Sequence, residues 1–414
     1  MDRIIFHIDV NSAYLSWTSV ENLKQGCGPD LRELLAIIGG DQASRRGVVL
    51  AKSIPAKALG VKTGEPIVSA LRKCPDLMIF PPDHKLYSRY SRRLMEYLKN
   101  LTPDVEQVSI DECYLDFTGI AHRYPSPLSA AVRIKKEIFT QFDFTVNIGI
   151  SSNKLLAKMA SDFEKPDKVH TLFPREIPQK MWPLPVEKLY MAGRSSVDTF
   201  HKLGIRTIGD LASTDPGLLE SHLKSHGRLL WEYANGQDSA PVLSGPQEAK
   251  GIGNSTTLSE DVSTLRDAQA VLLQLAESVS ARLRKAGQIC TNLCVEIKYN
   301  TFVTVSHQAP VDPPTNTCGK IYQTSCSLFS SLWNHTPIRL LGIRATKLLP
   351  EDTPIQLSLF DLRNETDERQ KRLDKALDSI KQRFGDQAVV RGSMLKPPAV
   401  HLQDRNIGED SGGD

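Results

Sequence analysis

Apolar and polar residues alternate from Arg3 to Asp9 (RIIFHID). Ile4, Phe6 and Ile8 share one face of this run and Asp9 closes it, which predicts a short strand that delivers a carboxylate at its C-terminal end. Residues 84–101 carry Tyr90, Leu94, Tyr97 and Leu101 at helical spacing. The runs 105–110 and 113–118 flank a break at Asp111-Glu112 and predict a hairpin. Residues 126–142 predict another helix with Leu128, Val132, Ile138 and Phe142 on its apolar face. TVNIGI (145–150) alternates again, and Ser151 or Ser152 is placed to cap a helix running through Phe163. The order strand, helix, strand, strand, helix, strand is the ferredoxin-like plan, with about 75 residues inserted after the first strand.

Downstream, residues 166–235 read as short helices broken by Pro and Gly, and KLGIRTIGDLA (202–212) places a turn glycine between helical runs. Residues 236–250 (GQDSAPVLSGPQEAK) read as a linker. A second block follows, with a helix at 264–286, strands near 289–299 and 302–309, a helix at 318–333 and a strand at 338–347. A further linker at 350–358 leads to a helix near 366–384 whose apolar positions are Leu373, Leu377, Ile380 and Phe384. The expected class is α+β.

Composition narrows the function classes without choosing one. The 414 residues suit several domains, and the 40% hydrophobic and 24% charged content is that of an ordinary globular protein. The seven cysteines, at 27, 74, 113, 290, 294, 318 and 326, form no C-x-x-C and no Cys/His grouping, which fits a reducing cytoplasm. His7 and Asp9 interrupt the first apolar run, so neither a signal peptide nor a membrane span is expected there. The net charge of +3 is nearly neutral, and charge patterning permits nucleic-acid binding without requiring it. There is no Gly-x4-Gly-Lys-Ser/Thr loop, H-E-x-x-H or G-x-S-x-G, and GIGNST (251–256) lacks the third glycine of a dinucleotide fingerprint.

The chemistry concentrates in three acids. Asp9 ends a strand, and Asp111 and Glu112 stand at a hairpin tip, where a turn frees adjacent residues from pointing to opposite faces. In a ferredoxin-like sheet these strands can be neighbours. A cluster of hard oxygen ligands suits magnesium, and two ions about 3.5–4 Å apart can activate an attacking hydroxyl and stabilise a leaving pyrophosphate.

The segments FHIDVNSAYLS (6–16), RRGVVLAKSIPAKALGVKTGEP (45–66), SIDECYLDFTG (109–119) and GISSNKLLAKMASDFEKPDK (149–168) resemble, in order and spacing, the four signature regions of Y-family DNA polymerases, and KLGIRTIGDLA resembles their helix-hairpin-helix. The resemblance covers about residues 1–350. It implies a palm at 1–10 and 78–165, inserted fingers at 11–77, a helical thumb at 166–235 and a second α+β domain, the little finger, at 251–350. It implies template-directed, low-fidelity translesion synthesis with two magnesium ions held by Asp9, Asp111, Glu112 and the Val10 carbonyl. Val10, Ala13, Tyr14, Ala51, Ile54, Lys57 and Lys165 match positions around the incoming nucleotide, with Tyr14 as a gate against ribose and Ser12 near the nascent pair. Lys154 and Lys158 are expected to be exposed or to face DNA. Arg282, Arg284, Lys285, Lys298, Arg339, Arg344 and Lys347 are expected as a set to serve DNA binding by the little finger.

Four departures stand out. Ile54 and Lys57 occupy positions where many members have Tyr and Arg. Met191 replaces the first glycine of the thumb hairpin, of which Gly193 keeps the second, and Asp167-Lys168 replaces Asn-Gly. Gln356, Leu357, Leu359 and Phe360 (QLSLF, 356–360) resemble the peptide by which bacterial polymerases bind the sliding clamp. The expected partners are primer–template DNA, deoxynucleoside triphosphates and that clamp, with no membrane and a monomeric chain. Two alternatives remain open at this point: another two-metal nucleotidyl enzyme on a palm fold, such as a nucleotidyl cyclase, and a catalytically weakened scaffold that binds DNA and clamp.

Overall fold

The computed structural model describes residues 3–40, 47–245, 249–354, 365–385 and 388–389. The chain divides into two compact units, the first built from Met1–Gly40 and Val48–Gln247, the second from Glu248 onward. Among the described residues no helix is long and apolar enough to cross a membrane.

The first unit begins β1 (Ile5–Val10), α1 (Ala13–Lys24), β2 (Ala36–Gly39), β3 (Val49–Lys52), α2 (Ile54–Ala58), α3 (Ile67–Lys73), β4 (Met78–Phe80), α4 (His84–Leu101), β5 (Val105–Gln107), β6 (Glu112–Asp116), α5 (Pro127–Phe142), β7 (Val146–Ser151), α6 (Lys154–Ser161) and β8 (Val169–Thr171). One sheet has the order β5-β6-β1-β7-β8. Its β5-β6-β1-β7 portion is the ferredoxin-like arrangement, with β1 in the middle, antiparallel to both neighbours, and β8 added parallel to β7.

A central strand covered on both faces is buried throughout, and all six residues of β1 are. Phe6, Ile8 and Val10 join a core with Tyr90, Leu94 and Leu98 of α4 and Ile134, Ile138 and Phe142 of α5. Ile5, His7 and Asp9 face the other way, where α6 lies: Ile5 packs with Ala157, and His7 Nδ1 is 2.8 Å from Ser161 Oγ. The α5 start combines a capping box between Ser126 and Ser129 with Pro127 in the first turn. Its apolar face differs from the expected one, because Ala130, Ala131 and Ile134 turn inward while Leu128 and Val132 are exposed. The cap of α6 is Asn153, whose side chain accepts from the Leu156 N–H (2.8 Å), rather than Ser151, which ends β7, or Ser152.

The inserted segment carries its own sheet, β3-β2-β4, which periodicity did not reveal. Met78–Phe80, on the palm side of the expected boundary, pairs with β2 there. Past β8 come α7 (Ile177–Lys180), α8 (Arg194–Lys202), α9 (Ile208–Ser213), α10 (Pro216–Leu223) and α11 (Ser225–Ala234), packed around Phe200, Ile208, Leu211 and Leu230. Gly204, between α8 and α9, has φ +80°, and Met191 has φ +69°, a left-handed conformation that favours glycine. Part of the expected linker is docked on the first unit, where Leu243 N–H donates to Glu106 and Leu155 N–H to Asp238.

The second unit contains β9 (Gly251–Val262), α12 (Leu265–Lys285), β10 (Gln288–Tyr299), β11 (Thr304–Thr315), α13 (Cys318–Leu332), β12 (Ile338–Pro350) and α14 (Glu365–Phe384). Its sheet order is β11-β10-β12-β9. Strand β9 was not foreseen, and β11 and β12 run further than expected. Helices α12 and α13 close the core with Val271, Leu275, Val279, Ile321 and Phe329. Arg284 does not join a DNA-facing set: its side chain is 7% exposed, and it binds Asp378 (2.6 Å) and Asp374 (3.3 Å) of α14. Lys298 and Arg339 lean over the exposed ring of Phe302, at the turn between β10 and β11.

Candidate active site

The antiparallel register sets Asp9 directly opposite Glu112 on one side and Asn147 on the other. Val10 N–H donates to the Asp111 carbonyl (3.1 Å), which fixes the hairpin tip against the end of β1. Glu112 is the first residue of β6, and Asp111 ends the preceding turn. Ser109 organises that turn, donating from Oγ to Asp111 Oδ1 (2.7 Å) and accepting from the Glu112 N–H (3.1 Å).

Opposed carboxylates in a sheet repel, so cations must be near. Two lysines supply them. Lys158 Nζ is 2.6 Å from Glu112, 3.9 Å from Asp9 and 3.6 Å from Asp162. Lys165 Nζ is 2.7 Å from Asp9 and 2.8 Å from Asp162. This corrects the expectation for Lys158, which is buried rather than exposed or DNA-facing. Lys154 is likewise engaged, on Glu106 (2.7 Å) and over the Tyr114 ring.

The protonation equilibria follow from this packing. Burial, and then the hydrogen bond with Glu112, lift Asp9 to about 7 against the pull of Lys165 and Lys158. Burial would lift Glu112 too, but His7, the Asp9 hydrogen bond and Lys158 outweigh it and hold Glu112 well below the usual carboxylate range. The raised Asp9 and the lowered Glu112 are two sides of one interacting pair, opposed across the strands. Burial raises Asp111 despite its Ser109 bond, and burial lowers His7 to about 4.

Beside the acids lies a cleft of about 420 Å³, lined by Asp9, Val10, Ser12, Ala13, Tyr14, Leu50, Ala51, Lys52, Thr63, Ile110 and Asp111. Of the residues expected around a nucleotide, Val10, Ala13, Tyr14 and Ala51 line it. Lys165 reaches the same acids through Asp9. Ile54 and Lys57 do not line it; both are exposed on α2. The cationic wall is instead Lys52, held by Thr63 (2.8 Å) and lowered in pKa by burial and then by Lys57. Tyr14 is half-buried and stacked on Tyr87, with centroids 4.2 Å apart and planes at 9°. Stacking of this kind fixes the ring plane. The first turn of α1 also borders the cleft. Its cap residue, Ser12, makes no side-chain cap bond to that turn.

Further positioning residues escaped the sequence reading. Asn147 is fully buried: its Oδ1 accepts from Asn11 Nδ2 (3.0 Å), and its Nδ2 donates to the carbonyls of Ser161 (3.0 Å) and Glu164 (2.7 Å). Asn11 Oδ1 in turn accepts from Asp167 N–H (2.9 Å), and Lys135 binds Asp167 (2.9 Å). These bonds hold the loop that carries Lys165. They also stabilise Asp167 at φ +61°, where asparagine or glycine would sit more easily. A polar residue in the middle of an alternating apolar run (TVNIGI) is the signal that could have found Asn147.

Among the described residues, no three His, Cys, Asp or Glu side chains stand close enough as they lie to hold a metal ion. Asp111 leans to Ser109 and Glu112 to Lys158. The donor set nonetheless fits a hard divalent cation: carboxylate oxygens, a backbone carbonyl at Val10, and four carboxylates facing only two ammonium groups. The peptide 356–360 lies outside the described residues.

Residues 8–162 match the impB/mucB/samB family and residues 249–359 match its C-terminal domain. DNA polymerase IV of Clostridium acetobutylicum is 44% identical over 396 residues, covering 96% of this chain and 99% of its own. DNA polymerase IV 1 of Bacillus subtilis is 35% identical over 412 residues, covering 99% of this chain and 97% of its own. Among solved structures, a Y-family DNA polymerase chimera superposes with a TM-score of 0.72 at 22% identity, over 84% of this chain and 99% of that one, a likeness of fold.

Proposed function

Starting from a chain that belongs to the impB/mucB/samB family, in the DNA polymerase IV branch of the Y-family polymerases, we infer that the cleft beside Asp9 is where a template-directed translesion DNA polymerase joins a deoxynucleotide to a primer. The observation that carries this reading is the register of Asp9 opposite Glu112, with the Asp111 tip bonded to Val10, at the edge of a cleft walled by Tyr14 and Lys52.

Asp9, Asp111, Glu112 and the Val10 carbonyl would hold two magnesium ions. Bound there, these ions supply Lewis acidity toward the primer 3′-hydroxyl and charge neutralisation for the departing pyrophosphate. Everything else falls to the chain's own groups. Lys165 is held at the acids by Asp9 and Asp162, and Lys52 is held in the cleft by Thr63; both present ammonium groups to the triphosphate. The N–H groups at the start of α1 add donors for phosphate oxygens. With Ile54 and Lys57 on the outside, Lys52 takes the place of the missing Tyr and Arg. Thumb and little finger grip primer–template DNA through phosphates, which makes affinity salt-dependent and sequence-tolerant. The chain works as a monomer in the cytoplasm and binds the sliding clamp through Gln356, Leu357, Leu359 and Phe360.

The ring of Tyr14 lies against Tyr87 and cannot swing away cheaply, so it excludes a 2′-hydroxyl. Replacing it by alanine (Tyr14→Ala) should raise ribonucleotide incorporation at least about 10-fold with deoxynucleotide incorporation largely kept, as a loss of about 1.4 kcal/mol of discrimination requires. Unchanged sugar selectivity in single-nucleotide insertion assays would remove Tyr14 from the gate. Primer extension on undamaged and lesion-bearing templates, at rising salt, tests the whole reading. A nucleotidyl cyclase would not extend a primer, and a scaffold would bind DNA without extending it.

A further inference from the structure

Asp162 belongs to neither of the strands that meet at the acids, yet it is tied into their charges. It is the residue just past the end of α6, four residues after Lys158 and three before Lys165. That spacing brings both ammonium groups to one carboxylate: Oδ1 is 2.8 Å from Lys165 Nζ and Oδ2 is 3.6 Å from Lys158 Nζ. On their other sides the same ammonium groups meet Asp9 Oδ1 (2.7 Å) and Glu112 Oε1 (2.6 Å). The two lysines therefore bridge two sets of carboxylates, one on β1 and β6 and one at the end of α6.

Helix stability does not explain this acid. A carboxylate at a helix C-terminus opposes the helix dipole, and an ion pair on a helix surface adds little. Neutralising the opposed acids does not explain it either, because Asp162 draws on the same two ammonium groups that Asp9 and Glu112 need. Its setting differs from theirs: its side chain is 46% exposed, against 10% for Asp9 and 26% for Glu112. A carboxylate at the solvated edge tolerates weak pairing, whereas a buried one does not.

A second acceptor for the lysines matters because Asp9 Oδ1 and Glu112 Oε1 each accept from an ammonium group. A divalent cation bound at these acids needs their oxygen lone pairs, and it repels an ammonium group beside them. Lysine has a flexible stem and three donors, so its head group can exchange acceptors while its backbone stays in place. Lys158 needs a shift of only about 1 Å to reach hydrogen-bond length on Asp162. Lys165 is there already.

We propose that Asp162 is a positioning residue for cation binding: it takes Lys158 and Lys165 over from Glu112 and Asp9 and so frees those carboxylates for divalent metal ions. The proposal rests on the reading of Asp9, Asp111 and Glu112 as metal ligands. Mn²⁺ binding to the full-length chain, without DNA or nucleotide, tests it. Electron paramagnetic resonance of free Mn²⁺ and the rise of melting temperature with Mn²⁺ both read the affinity. Asp162→Asn should weaken binding at least about fivefold, because the lysines then keep to the acids. Lys158→Met should tighten it at least about fivefold, because one competing ammonium group is gone. Should Lys158→Met not fold, Lys158→Gln, which keeps a donor for Glu112 without the charge, serves instead. In the Lys158→Met background the loss caused by Asp162→Asn should shrink to less than about half on a logarithmic scale, the mark of coupled residues. An equal loss in both backgrounds means that Asp162 acts only as a nearby negative charge, and overturns the proposal. Affinities within twofold of the parent in both single variants overturn it as well. Asp111→Ala separates the two claims. If it binds Mn²⁺ as well as the parent, the metal reading fails and takes the proposal with it; if it loses binding while the Asp162 and Lys158 variants match the parent, the Asp162 proposal alone fails.

Discussion

Primer extension by an Asp111→Ala protein is expected to fall at least about a thousandfold while its affinity for primer–template DNA stays within twofold of the parent. A cation ligand that stabilises charge in the transition state by about 4 kcal/mol accounts for that factor. Asp111 separates chemistry from folding better than the other two acids. Its carboxylate accepts from Ser109 within its own turn, and its link to β1 is a backbone bond from Val10 to its carbonyl, which alanine keeps. Removing Asp9 or Glu112 would instead take away a close ion-pair partner of Lys165 or Lys158 and shift the remaining pairing onto Asp162, so a loss of extension could not be separated from a rearranged ion-pair network. Single-turnover extension and a DNA-binding titration on the same preparation check the prediction. An undiminished rate would mean that the activity does not arise at these acids.

A Gly149→Ala substitution should be the most damaging single methyl group in the first unit, costing at least about 3 kcal/mol. Gly149 pairs with His7 of β1 and lies under α6. A Cβ there would fall inside the Ala157 carbonyl oxygen and 2.5 Å from the Ser161 nitrogen, both backbone atoms of α6 that cannot rotate aside. The helix would have to lift, and it carries Lys158 and leads into the loop with Lys165. Loss of stability should therefore come with loss of extension even in molecules that remain folded. Chemical denaturation together with extension measured well below the transition reads both effects. Parent-like stability would mean that α6 is not seated on β7.

Local patterning located the acids because their chemistry depends on where strands end. Alternation put Asp9 at the end of β1, and the break at Asp111-Glu112 put the other two acids at a hairpin tip; antiparallel pairing then needed only register to bring them together. The βαββαβ order was legible for the same reason. Periodicity was weaker where strands are short or irregular. The β3-β2-β4 sheet is made of strands of three and four residues, and β9 mixes small polar residues over twelve positions, so neither carries a clear period of two.

Partners contributed by distant chain were invisible in the sequence. Lys158 looks like any helical lysine until α6 is laid across β1 and its ammonium meets Glu112. Ile54 and Lys57 stand where a family pattern expects phosphate contacts, yet the turn into α2 points them outward, while Lys52 at the end of β3 faces the cleft. The four apolar residues of α14 predict a buried stripe. The buried guanidinium of Arg284 reverses that, because its carboxylate partners lie on the opposite side of the helix and a buried charge must be paired. By itself the chain determined the elements with a clear period, β1, α4, the hairpin, α5 and β7, and set the three acids at strand ends and a hairpin tip. Which charges become buried neighbours, and which face of a helix turns inward, was decided only in the tertiary structure, since desolvation and pairing are properties of the whole packing.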